Sequence, residues 1–219
     1  MAARIAFVHT VGFLADEFRR LMREQMPDAD PFHVLNESLL QDLLRGAEPA
    51  TVHRRVVDQV LLAADAGADI VVMTCSSTSP GVDIARTMST KPILKIDDPM
   101  MAQAVMQGSR VGLLCTATST VAPSTALLQA HAAIQGREVS VVPTINAQAY
   151  QALMAGDRQT HDRLVLESAV ALGAQVDVLV LAQASLAHLQ AAIRGRVSAP
   201  VLASPSLLME ELKRRAQPA

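Results

Sequence analysis

The chain has 219 residues, half of them apolar and 18% charged, with 19 basic against 21 acidic side chains for a formal charge of −2; that length fills one domain or two small ones, and that balance is globular rather than disordered. Four Phe, one Tyr and no Trp leave few stacking platforms, and the charge balance supplies no bulk cationic surface, so nucleic acid is not an expected partner. No apolar run approaches the roughly 20 residues that cross a bilayer, and the opening MAARIAFVHT has no signal-peptide layout, so no membrane partner and a cytoplasmic location are expected.

In chain order, Val/Ile/Leu-rich runs predict strands near residues 4–9, 32–36, 69–74, 92–96, 110–115, 138–142, 177–182 and 200–203, separated by Ala/Leu/Arg/Glu stretches of helical period. Buried parallel strands joined by crossover helices have this pattern, which makes the chain α/β. The second four strands echo the first four. Arg4 to Thr10 aligns with Arg110 to Thr116 at an offset of 106, Asp69 to Cys75 with Asp177 to Gln183 at 108, and Pro92 to Leu94 with Pro200 to Leu202 at 108. A chance match of apolar strands is the alternative to a duplication. Two similar four-stranded parallel-sheet halves are therefore expected, one from residues 1–98 plus a returning helix at 206–219, the other from residues 99–205. They are expected to be related by a pseudo-twofold axis, with the active-site cleft between them.

Ligand-facing residues in such folds sit at the carboxyl ends of strands. Here these are His9-Thr10, Asn36-Glu37, Cys75 to Thr78, Asp97-Asp98, Cys115 to Thr118 and Gln183 to Ser185. Two cysteines make no disulfide framework, and the sequence has no CxxC, HExxH, GxGxxG or GxxxxGK[ST]. The six histidines are scattered, so no metal and no cofactor are expected.

The strongest local signal is VVMTCSSTSP, residues 71–80, a buried strand that breaks into small hydroxyl and thiol residues before a helix. Ser79 fits the N-cap and Pro80 the first helical position. A thiol just upstream of a helix N-terminus is placed where the positive end of the helix favours thiolate, and the N–H groups and hydroxyls of Ser76, Ser77 and Thr78 suit a carboxylate. A buried cysteine in an ordinary Ser/Thr-rich loop is the plainer alternative. His9 is a candidate ion-pair partner for a Cys75 thiolate, or else a strand-end histidine satisfied by backbone. Asp98-Pro99 and Asn36 to Leu40 also read as plain helix starts. Cys115, inside VGLLC, is a candidate second acid or small core filler.

Over nearly its whole length the chain resembles the aspartate/glutamate racemase superfamily, which includes hydantoin racemases, maleate cis-trans isomerases and arylmalonate decarboxylases. The likeness rests on the two-half layout, on TCSSTS (74–79), and on VGLLCTATS (111–119), which is similar to the family's VGhhxTxAT stretch. It implies cofactor-independent chemistry at the carbon beside a carboxylate, with one thiol from each half. By position Cys75 is the first thiol, Thr116, Ala117 and Thr118 match the carboxylate-binding segment, and Thr10 and His9 stand where an Asp-Ser pair is usual. The second strand-end motif, like LGCTH, reads Leu181-Ala182-Gln183-Ala184-Ser185 here. Gln183 therefore stands at the second thiol position and Ser185 at that of an assisting histidine. An amide carries no useful proton at neutral pH, which weakens two-thiol racemisation.

The expected function is that of a cofactor-independent racemase or isomerase acting beside the carboxylate of a small acid or amino acid through a single thiol. Decarboxylation of a malonate-type acid and silent binding of a small carboxylate are the alternatives. The expected partner is a small carboxylate substrate, and self-association into a homo-oligomer stays open.

Overall fold

The computed structural model describes residues 2–216. In its first part β1 (Arg4–His9), α1 (Gly12–Gln25), β2 (Asp30–Leu35), α2 (Ser38–Leu44), α3 (Pro49–Asp65), β3 (Ile70–Met73), α4 (Pro80–Arg86) and β4 (Ile93–Lys95) follow one another. Next come α5 (Asp98–Gln107), β5 (Arg110–Cys115), α6 (Val121–Ile134), β6 (Ser140–Ile145), α7 (Ala147–Met154) and α8 (Arg158–Gly173). The chain closes with β7 (Val178–Leu181), α9 (Gln190–Arg194), β8 (Val201–Ala203) and α10 (Ser204–Ala216). Short 3-10 turns precede α6 and α9, at Thr118–Thr120 and Ala184–Leu189.

Two four-stranded parallel sheets result, in the orders β2-β1-β3-β4 and β6-β5-β7-β8. The contacts divide the described chain into one compact unit of residues 2–96 and 208–216 and another of Asp97–Leu207. Each sheet is covered on both faces, so the central strands are apolar throughout: all four residues of β3 and of β7 are buried. In the first unit Ala6, Val8, Val71 and Met73 pack against Val52, Val56 and Val60 of α3. In the second, Leu113 and Val180 pack with Met100, Met101 and Leu128, while Leu179 and Leu181 pack with Val165 and Leu172 of α8.

The internal repeat extends to single hydrogen bonds. Asp69 Oδ2 accepts from the Arg4 N–H at 2.9 Å and Asp177 Oδ2 from the Arg110 N–H at 2.8 Å. Thr74 N–H reaches the Val8 carbonyl as Ala182 N–H reaches that of Leu114, and the Pro92 and Pro200 carbonyls each accept from the neighbouring central strand. The Arg, Asp and Pro starts that align in the sequence are thus the residues that lock strand register.

Two strands differ from expectation. β2 begins at Asp30 rather than residue 32, and β6 runs Ser140–Ile145 rather than 138–142. Both are edge strands, and each contains a proline, Pro31 or Pro143, which an edge tolerates because one row of its amides has no partner strand. The proline hides the strand from a reading based on apolar runs. No helix among the described residues is long and apolar enough to cross a membrane.

Candidate active site

The segment after β3 is a chain of short turns. Ser79 N–H reaches the Ser76 carbonyl at 3.3 Å, Gly81 N–H that of Thr78 at 3.3 Å and Val82 N–H that of Ser79 at 2.9 Å. Pro80 opens α4 as expected, but the Ser79 hydroxyl does not cap it and donates instead to the Ser76 carbonyl at 2.9 Å. Cys75 is 8% exposed, and Ser76, Ser77 and Thr78 are buried with it. The register that pairs Val8 with Met73 brings Thr10 to the level of Cys75. The hydroxyl oxygens of Thr10 and Thr78 are both buried without a hydrogen-bond partner among the described residues. A buried hydroxyl left unpaired costs about 1–3 kcal/mol.

His9 is bonded to Thr74 and His33. It is fully buried, and its ring nitrogens are taken by Thr74 Oγ1 and His33 Nδ1, each at 2.9 Å. Burial, reinforced by the neighbouring His33 and by Arg19, pushes it down to about 3, so it is a neutral ring near pH 7 and not the imidazolium of an ion pair with Cys75. The proton order follows from the partners. The Thr74 hydroxyl donates to the Val8 carbonyl at 3.1 Å, so its oxygen accepts from His9 Nδ1–H, and His9 Nε2 accepts from His33 Nδ1–H. His33 is itself pushed down to about 4, chiefly by burial. Phe7, Phe18 and His33 stack in this layer, with Phe7 to Phe18 at 5.1 Å and Phe7 to His33 at 5.2 Å. His9 therefore positions Thr74, the residue before Cys75, and its partner His33 was visible in the sequence only through the register that pairs it with Phe7.

In the second unit Gln183 is engaged with the residues the resemblance assigned to a carboxylate. Its Oε1 accepts from the Thr116 N–H, from the Thr116 hydroxyl at 3.0 Å and from the Ala117 N–H at 3.3 Å. Three converging donors fix the carboxamide with its oxygen inward, so the amide oxygen stands where a carboxylate oxygen would be accepted. Thr116 and Ala117 thus donate to Gln183 within the second unit. Thr118 is exposed and Ser185 half-buried. Cys115 is fully buried, and burial, with Asp97 nearby, pushes its thiol up to about 12. This burial matches the core-filler alternative for Cys115. Asp98 pairs with His131 at 3.2 Å, and the Asn36 side chain accepts from Ser38 N–H at 3.1 Å, so both segments serve as helix starts.

The family model for Asp/Glu/hydantoin racemases matches residues 11–212. The chain belongs to that family. A glutamate racemase isoform of Bacillus anthracis has the same fold, with a TM-score of 0.76 at 13% identity over 97% of this chain and 81% of its own. An aspartate racemase of Picrophilus torridus gives 0.76 at 12% over 98% and 94%, and an allantoin racemase of Klebsiella pneumoniae 0.72 at 17% over 97% and 87%. No protein of curated function matches significantly. At these identities the structural likeness speaks for the fold, and the family places the chain among racemase- and isomerase-type enzymes.

Proposed function

We propose that the protein is a cofactor-independent racemase or isomerase acting at the carbon beside the carboxylate of a small acid or amino acid, with Cys75 as its single reacting thiol. The observation that carries this reading is the position of Cys75 just after β3, with the buried hydroxyls of Thr10 after β1 and Thr78 in the turn after Cys75, both without a partner among the described residues. The thiolate removes the proton from the carbon next to the carboxylate and the electron pair moves into the carboxyl group as an enediolate; a proton returned by the thiol gives exchange with retention, and one returned by water to the opposite face gives inversion. Hydroxyl and N–H groups of Thr10 and Ser76 to Thr78 hold the carboxylate and the charge that develops on it. His9 acts through Thr74, holding the turn that presents the thiol.

Gln183 supplies no second proton carrier, because a carboxamide is neither a useful acid nor a useful base at neutral pH. One thiol suffices for protonating a decarboxylation intermediate or for reversible addition to an activated alkene, so these stay as variants of the same site. The occupied Thr116 turn favours a second reading, a silent carboxylate binder. A thiol alkylator decides: rapid modification of Cys75 with loss of turnover, slowed by a small dicarboxylate, supports the enzyme. A protein that binds the dicarboxylate but turns over none of a range of small acids, before or after alkylation, is the binder.

A further inference from the structure

We infer that His161, Asp162 and His188 form a binding site for one divalent cation of the zinc class, separate from the thiol chemistry. His161 Nδ1 lies 2.7 Å and His188 Nε2 2.9 Å from Asp162 Oδ1, and the three donor atoms lie within 4.8 Å of one another. Two imidazoles and one carboxylate are a donor set that borderline cations prefer, with positions left for water. The sequence hides the cluster, because two ligands start α8 and the third comes from the turn Ala184–Leu189 with no motif spacing between them.

Proton placement singles this cluster out. His188 Nδ1 is 2.9 Å from the Ser185 carbonyl, which has no proton to give, so Nδ1 carries the hydrogen and a neutral ring presents a bare lone pair at Nε2. That lone pair faces Asp162 Oδ1. At 2.9 Å a proton or a metal ion can sit between the two atoms. An Nδ1–H bonded to a backbone carbonyl is also the outer support that fixes the tautomer of a metal-binding histidine.

The His161 side chain is 1% exposed and presents Nδ1 to Asp162, while its Nε2 is buried without a partner among the described residues. The two rings stack at 6.1 Å. Asp162 also lines an open groove of about 740 Å³ with Arg163, Leu166, Glu167 and Arg196. A cation here would brace the turn that carries Ser185 onto α8.

The test is calorimetric titration of Zn²⁺ into chelator-treated Cys75→Ala protein, in which the proposed reacting thiol cannot compete. The expected result is one ion per chain with a micromolar Kd, weakened at least about tenfold in His188→Ala and in Asp162→Asn added to that background. Circular dichroism checks that both variants fold, and the near-isosteric Asp162→Asn decides if His188→Ala does not. Absence of binding, or equal affinity in parent and folded variant, overturns the proposal.

Discussion

Removing the Gln183 side chain tests whether its amide oxygen holds the second unit's strand-end turn. In Gln183→Ala the N–H groups of Thr116 and Ala117 lose their acceptor, while the Thr116 hydroxyl can rotate away. Thr116 is 2% and Ala117 8% exposed, so neither amide finds water readily in a native turn. A stranded buried donor costs about 1–3 kcal/mol; because the departing side chain is itself half-buried and opens a route for solvent, a total of about 1–3 kcal/mol is expected for the pair. Urea unfolding reads this directly. A small carboxylate should restore part of the loss by occupying the vacated oxygen position, since a tenfold excess over its Kd returns about 1.4 kcal/mol. The parent should show no such response at this turn. An Ala variant as stable as the parent and indifferent to formate or acetate would refute the reasoning.

Three other expectations follow from the same geometry. His9 at about 3 and His33 at about 4 are depressed relative to about 6.5 in an unfolded chain, so below 6.5 the unfolded state binds more protons and stability falls as pH drops toward 4; the slope approaches about 1.4 kcal/mol per pH unit for the fully buried His9 and is smaller for His33. Unfolding at pH 7 and pH 5 should show this loss reduced in His9→Phe, and an unchanged loss would contradict it. Gly81→Ala should cost about 1–3 kcal/mol and lower turnover, because the added methyl would lie 2.9 Å from the His53 carbonyl oxygen and from Val56 Cβ at the start of the helix that follows the Cys75 turn; unfolding and rate measurements on this variant check both. Cys115→Ala should keep its turnover and lose about 1–2 kcal/mol of stability, the effect of a small core cavity, and loss of activity in a folded variant would place a second thiol in the reaction.

The fold was legible where strands are buried on both faces. Arg4, Asp69, Arg110 and Asp177 mark repeated starts because their side chains or amides lock register in each sheet. The edge strands were shifted because Pro31 and Pro143 break the apolar run that identifies a strand, although an edge accepts them. At the site, the Cys75 turn was readable as a local motif, since thiol, hydroxyls and proline are consecutive. What His9, Gln183 and His161 do was not. Each depends on a partner far along the chain: His33 through strand register, Thr116 across neighbouring strand ends, and His188 from a separate turn. Burial then turns His9 from a candidate charged partner into a neutral link, an outcome that residue type alone does not carry.

The measurement that tests the single-thiol reading most directly is exchange of the hydrogen beside the carboxylate in heavy water, followed for both enantiomers of a range of small acids and amino acids with parent and Cys75→Ala protein. With a proton carrier on one face only, the parent should wash deuterium into one enantiomer with retention faster than it inverts either, or decarboxylate a prochiral malonate to one enantiomer. Cys75→Ala should do neither while keeping its stability within about 1–2 kcal/mol. Exchange that survives in a folded Cys75→Ala protein, or equal incorporation with inversion from both enantiomers in the parent, would contradict a single thiol at Cys75.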